Sequence, residues 1–257
     1  MNKQVLIYET AVPLTHERHG QWSVEVGDDY RFSGEVNSVP LMTVEFSRAA
    51  GEYPIVLSGA DGSVVPVVVL GMRGNENLYV NKQGSWQAKY IPAFIRRYPF
   101  VFSSSEDGST LTLCIDEAFA GFNQEGRGEK LFDDQGKPTT YVQKVLNFLQ
   151  GYQTEFQRTQ VFGRKLQDLN VLEAMQAEVT TDSGQFLSLT GFSSISRSKL
   201  KELSGDTLAN MAKNDELELA HLQLYSLQNF DAMKERLATS STGTALLKKN
   251  GKGNGDE

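Results

Sequence analysis

The 257-residue sequence predicts an α+β fold: an antiparallel, β-rich first half, then a long helix, a β-hairpin and a C-terminal helical part. Three observations predict it. Up to Pro138, short apolar runs alternate with Gly, Pro and Asp-Gly punctuation, the pattern of strands joined by tight turns. From 139 to 170 proline is absent and apolar residues recur every three or four positions, as on an amphipathic helix. Between 40 and 136 one ordered set of signals occurs twice.

The amino-terminal residues divide into short pieces. VLIYE reads as a first strand, Pro13 and THERHGQ as a loop, WSVEV as a second strand, and DDYRFSGEVNSVP as an irregular approach. The repeated pattern then begins. Its first copy runs from Pro40 through LMTVEFSRAA to Tyr53-Pro54 and an apolar strand, turns at Asp61-Gly62, and returns along VVPVVVLG. Its second runs from Pro92 through AFIRR to Tyr98-Pro99, turns at Asp107-Gly108, and returns along TLTLCID. Arg73-Gly74 and Gln83-Gly84 follow the first copy, and Arg127-Gly128 and Gln135-Gly136 follow the second. Asp-Gly suits the positive φ of a two-residue hairpin turn, so each copy reads as helix or turn, strand, hairpin and return strand. Pro66 places an edge or a bulge in the first return strand. Two such units side by side predict a sheet assembly with approximate two-fold symmetry over residues 1–138.

Beyond Pro138, residues Val142, Val145, Leu149, Tyr152, Phe156 and Leu166 form one apolar stripe. A continuous helix over 139–169 would be roughly 45 Å long, and Gly151 and Gly163 are where it would bend or break. AEVTTDSGQFLSLTGFSSIS predicts a hairpin turning at Asp182-Ser183-Gly184. RSKLKEL and DTLANMAKN predict two short helices, and DELELAHLQLYSLQNFDAMKERL one long helix with two apolar stripes. Residues 139–237 are expected to pack on 1–138 as a single globule, and 238–257, small, polar and glycine-rich, to form a flexible tail.

Composition excludes several functions. A net charge of −7 argues against non-specific nucleic-acid binding, which requires a basic footprint. Cys114 is the only cysteine, so no intramolecular disulfide forms; in LTLCID it reads as a buried structural thiol. The most apolar run, Val64 to Leu70, is too short to span a bilayer, and Glu9 interrupts the amino terminus too early for a secretory signal. A soluble, cytoplasmic protein is expected.

The chemistry-bearing motifs are incomplete. His16 and His19 are three apart in a predicted loop, the wrong spacing for a zinc helix, and read as solvated. His221 reads as a core-edge residue of the last helix. Glycine-rich phosphate and dinucleotide loops, the nucleophile elbow and the iron triad are all absent, so neither metal nor cofactor is expected. What remains is a set suited to gripping a ligand. Arg73 and Arg127 occupy matching positions in the two copies, so a symmetric assembly would bring both guanidiniums to one cleft. Trp86, Tyr90, Arg96 and Arg97 lie on the connection between the copies. Asp116, Glu117, Asn123 and Glu125 form a polar run that breaks the repeat, although neighbours on a strand face opposite ways. Arginine with aromatics binds carboxylates, phosphates and peptide groups, and also anchors protein interfaces.

The segments IPAFIRRYPFVF, LCIDEAF, FNQEGRGEKLFD, FLQGYQTEFQRTQ, LTGFSSIS and ELAHLQLYSLQNF together resemble the bacterial SapC family over about residues 1–237. The resemblance implies a Gram-negative bacterial protein in an accessory role, with an oxygenase or an envelope-transport component as partner, and it assigns no catalytic residues. The expectation is a cytoplasmic binding or accessory protein that recognises a peptide, protein or small acidic ligand in a cleft between the two β-rich copies. Two alternatives are an enzyme or enzyme subunit working with an iron-dependent oxygenase, using Asp116, Glu117 or Glu125 with Arg127, and a component of a surface-layer export assembly.

Overall fold

The computed structural model describes residues 6–59, 63–105, 107–181 and 184–238. The expected turn residues Asp61-Gly62 and Asp182-Ser183, and the tail from 239, lie outside the described residues. The fold is α+β. In chain order it runs β1 (Ala11–Pro13), α1 (His16–His19), β2 (Ser23–Val24), β3 (Ser38–Pro40), α2 (Phe46–Ala49), β4 (Ile55–Ser58) and β5 (Val65–Val69). It continues with α3 (Ala93–Arg96), β6 (Phe100–Ser104), β7 (Leu111–Asp116), β8 (Phe122–Asn123) and β9 (Glu129–Lys130). The second half holds α4 (Thr140–Asp168), β10 (Leu172–Thr180), β11 (Phe186–Ile195), α5 (Arg197–Glu202), α6 (Gly205–Lys213), α7 (Glu216–Ser226) and a last helix, α8, over 229–238. The sheets have strand orders β1-β7-β6, β10-β11-β4-β5-β3 and β8-β2-β9.

Two ladders share one register. β5 sets Val68 opposite both Val39 and Ile55, and Val67 opposite both Pro40 and Val56. β7 sets Ile115 opposite both Val12 and Phe100, and Cys114 opposite both Pro13 and Val101. Each central strand therefore lies between a Val-Pro strand and the strand that follows a Tyr-Pro pair. The turns that follow also match. Asn81 Oδ1 accepts from the N–H groups of Gln83 and Ser85, as Asp133 Oδ1 does from Gln135 and Lys137. Gly84 and Gly136, at φ 87 and 77, close these turns in the left-handed region that glycine adopts without steric cost. The third strand of the second ladder comes from the amino terminus, so the first ladder is nested between β1 and α3.

That nesting moves the first strand. Pairing starts at Ala11, not in VLIYE, whose described part turns at Leu6 and Ile7. The N–H groups of Glu9 and Thr10 donate instead to the carboxylate of Asp116, so a side chain takes the place of a ladder partner.

Thr139 caps α4, its hydroxyl accepting from Val142 N–H, and the helix runs 29 residues through both glycines without interruption. Val142 and Leu149 pack with Phe100, Ile115 and Leu131 at the second ladder. Tyr152, Phe162 and Leu166 join the larger core around the first ladder. Burying each such side chain stabilises by about 1.5–3 kcal/mol, so α4 fastens both ladders along one stripe. The predicted last helix is two helices. Gln223, Ser226 and Asn229 are buried and bond main-chain groups of the first ladder: Gln223 and Ser226 hold Ile55, and Asn229 donates to the carbonyls of Ala50 and Tyr53. Ser226 also donates to the Gln223 carbonyl, and tighter i−3 bonds at Gln228, Phe230 and Asp231 separate α7 from α8. Among the described residues no helix is long and apolar enough to cross a membrane.

Candidate functional site

The site is built where the first ladder's helical corner, the connector into α3 and the outer face of α4 meet. Residues Thr43–Glu45 form a single 3-10 turn leading into α2, which directs Glu45 inward and leaves Val44 and Arg48 outside. Glu45 is buried, and its carboxylate accepts from Met42 N–H (2.8 Å), Ala93 N–H (2.7 Å) and the Tyr90 hydroxyl (2.7 Å). Burial, with Glu45 alongside, pushes the Tyr90 hydroxyl up to about 12, so it remains a donor at neutral pH. Glu52 receives the N–H groups of Lys89 and Tyr90 and completes the clamp on the connector.

A groove of about 530 Å³ opens on this scaffold, with Tyr90, Arg96, Phe148 and Tyr152 along it and Val44, 64% exposed, at its lip. Arg96 lies in the middle. Its Nε donates to the Ile91 carbonyl (2.9 Å), and its guanidinium lies 5.8 Å from the Tyr90 ring centre and 5.5 Å from that of Phe148. Past Arg96 and Phe148 a second hollow of about 270 Å³ continues between Tyr98, Tyr141 and Lys144 to Val26, itself 54% exposed. Arg97 forms part of its wall but is buried, 4.1 Å from the Phe94 ring centre and 5.0 Å from that of Tyr152. Among the described residues Arg48, Arg96 and Lys144 make no ion pair with a carboxylate. The carboxylates nearby are already engaged: Glu155 pairs with Arg158 at 2.7 Å, and Glu45 serves three donors. The result is an aromatic surface in which Arg48, Arg96 and Lys144 make no ion pair among the described residues, while Glu45 and Glu155 in the same lining are engaged by other donors.

Of the sequence-derived set, Tyr90 and Arg96 line the first hollow and Arg96 and Arg97 the second. The others lie in other settings. Arg73 pairs with Glu76 and donates to Gln185 on the β10–β11 hairpin, whereas Arg127 pairs with Glu25 and Glu125 on the exposed loop before β9. Trp86 donates to the Tyr53 hydroxyl and stacks on Tyr79. Asn123 accepts from the N–H groups of Glu125 and Arg127 and shapes their loop. Asp116 is fully buried and accepts from Glu9, Thr10 and Ala118 N–H. It faces away from Glu117, as strand alternation requires. Sequence reading missed Arg48, Phe148 and Lys144. A Tyr141, Val145, Phe148, Tyr152 series was visible at helical spacing, but such a series reads first as core.

His19 is not solvated. It is fully buried on α1, which Thr15 caps; its Nε2 lies 2.8 Å from Glu117 Oε1, and Nδ1 lies beside the Thr15 backbone. Both ring nitrogens are engaged, which leaves no free base for a nucleophile. His16 and His221 are exposed. Cys114 is buried, and burial pushes its thiol up, away from thiolate reactivity. Among the described residues no cluster of three His, Cys, Asp or Glu side chains suits a metal.

For Glu117 burial raises the carboxyl pKa, but the hydrogen bond from His19 and then the Arg18 guanidinium outweigh it and hold the group below its ordinary 4.5. A lowered folded-state value means this contribution is complete above 4.5 and fades as pH falls through the folded value. Glu117→Gln is therefore expected to flatten the acid limb of the stability profile. Urea midpoints measured from pH 6 down to pH 3 check this, and a limb of unchanged slope contradicts it.

The fold and groove define an α+β protein with two matched ladders and an arginine-bearing aromatic groove beside α4. A family model, SapC, matches residues 14–233, and the chain belongs to the SapC family. No curated protein matches the chain, and no solved structure does.

Proposed function

We propose that the chain is a non-enzymatic binding or accessory protein of the bacterial cytoplasm that recognises an acidic, partly apolar peptide segment of another protein. The segment lies in the groove between the helical corner of the first ladder, α3 and α4. One observation supports this reading: Arg96 lies beside Tyr90 and Phe148, flanked by Arg48 and Lys144, and among the described residues none of the three forms an ion pair with a carboxylate. A guanidinium beside aromatic faces favours a carboxylate next to apolar side chains, and exposed Val44 and Val26 extend the apolar surface at both ends.

The test is an array of twelve-residue peptides that vary in Glu and Asp content and in Phe and Leu content, followed by titration of the best binders. Acidic-aromatic peptides are expected to bind and basic ones to fail. Removing one charge-assisted contact with Arg96→Ala should weaken binding by about tenfold, and added salt should weaken it further. Binding that ignores Arg96→Ala, or a preference for basic peptides, overturns the reading.

A further inference from the structure

The matched registers allow the outer edges of β4 and β6, away from the groove, to be compared position by position. In the first ladder the outer edge of β4 is treated residue by residue. The main chain of Ile55 is capped by side chains: its N–H donates to Ser226 Oγ (2.9 Å) and its carbonyl accepts from Gln223 Nε2 (2.9 Å). Two residues on, Leu57 pairs with Ser193 of β11, which joins the sheet antiparallel. In the second ladder Phe100 occupies the register position of Ile55, and its outward groups are also engaged, one by main chain and one by a side chain. Its N–H donates to the Arg97 carbonyl (2.8 Å), and its carbonyl accepts from the Tyr8 hydroxyl (2.7 Å). Because Phe100 turns these groups away from β7, the two-residue alternation of an antiparallel strand turns those of Phe102 the same way. Phe102 is the counterpart of Leu57, yet among the described residues no strand pairs with that edge, and no backbone partner is found for Phe102.

We propose that the β6 edge at Phe102 and Ser104 is a strand-addition site for an extended, uncharged segment of a partner protein, entering antiparallel as β11 does on β4. The chemistry beside the edge sets the occupant. A hollow of about 410 Å³ lies along this sheet, with Val101 and Cys114 at its buried floor and Ser103, Thr112, Ala11 and Pro13 around it. None of its described lining residues is charged. It accepts the alternate side chains of a strand that are small or apolar, and its described lining gives a charged side chain no partner. Main-chain bonds supply the pairing and the hollow supplies selectivity, the usual division of labour in strand addition.

The probe is a synthetic peptide with the sequence of Phe186–Ile195, FLSLTGFSSI, which is the strand that fills the corresponding edge, with two lysines added after it for solubility. In hydrogen exchange on the whole protein, the Phe102 amide should exchange fast alone and become protected when the peptide is added. Phe102→Pro removes this donor without touching a bond to β7, a place where edge strands tolerate proline, and should weaken binding by about tenfold. A second arm leaves the protein unchanged. N-methylation of the peptide at the position of Ser193 should abolish pairing, whereas methylation at the position of Phe192, which points away from the edge, should leave it intact. Equal effects of the two methylations, or a Phe102 amide already protected without peptide, would overturn the proposal. Protection that appears with protein concentration alone would assign the edge to a second copy and likewise overturn it.

Discussion

Gly163→Ala should lower the stability of the protein by about 2–3 kcal/mol, while Gly151→Ala, on the same helix, should raise it by up to about 1 kcal/mol. The intrinsic preference of a helix for alanine over glycine is the same at both positions, so the difference in sign comes from the surroundings. At Gly151 an added Cβ meets nothing within 4 Å. At Gly163 it would lie 2.0 Å from the Val64 carbonyl oxygen and 3.0 Å from its carbon. Those are backbone atoms at the entry to β5, so no rotamer change relieves the overlap. Either α4 moves away from the first ladder, and Phe162 and Leu166 lose packing, or the start of β5 shifts. Urea denaturation of the two variants at one pH, with unchanged m-values, measures both effects. If both substitutions stabilise alike, α4 does not approach Val64 this closely.

The pair also shows which features the sequence carried. Both glycines stood out in a helical run as places for a bend, because propensity is a local property; that one of them is a contact with β5 depends on a residue about a hundred positions away. The same division holds elsewhere. Strands β4 to β7, the helix from Thr140 and the β10–β11 hairpin followed from apolar periodicity, which is local. The origin of the third strand of the second ladder did not, since Ala11–Pro13 pairs with a strand a hundred residues later. Nor did the split of the last helix. Gln223, Ser226 and Asn229 are polar residues on an apolar helix, and only their partners on Ile55, Ala50 and Tyr53 explain them. At the candidate site the connector residues Tyr90 and Arg96 were found because arginine beside tyrosine is a chemical signal. Phe148 and Arg48 were not, because each belongs to a different element and gains meaning only when α4, α3 and the corner converge.

Glu45 holds that convergence together, and replacing it is the most direct way to separate the groove's framework from its ligand chemistry. The sequence offered no reason to single it out, since TVEF resembles any helix start. Its carboxylate joins three segments: the corner through Met42 N–H, α3 through Ala93 N–H and the connector through the Tyr90 hydroxyl. Glu45→Ala leaves two buried amide donors without acceptors and is expected to cost about 3–5 kcal/mol, at roughly 1–3 kcal/mol for each unsatisfied buried group plus the lost packing. Glu45→Gln keeps one acceptor oxygen, which can serve Ala93 N–H and Tyr90, but its amide nitrogen opposes Met42 N–H, so about 1–2 kcal/mol is expected. Equal losses in the two variants would mean that the carboxylate charge, which both remove, matters more than the number of acceptors left. The effect should also reach the ligand surface. Tyr90 is one of the two rings on which Arg96 rests, so Glu45→Gln, at a temperature where it is fully folded, should weaken acidic-peptide binding while leaving strand addition at Phe102 unchanged. A loss at both sites would reveal general loosening, whereas a loss confined to the groove identifies Glu45 as the residue that positions Tyr90 and, through it, Arg96.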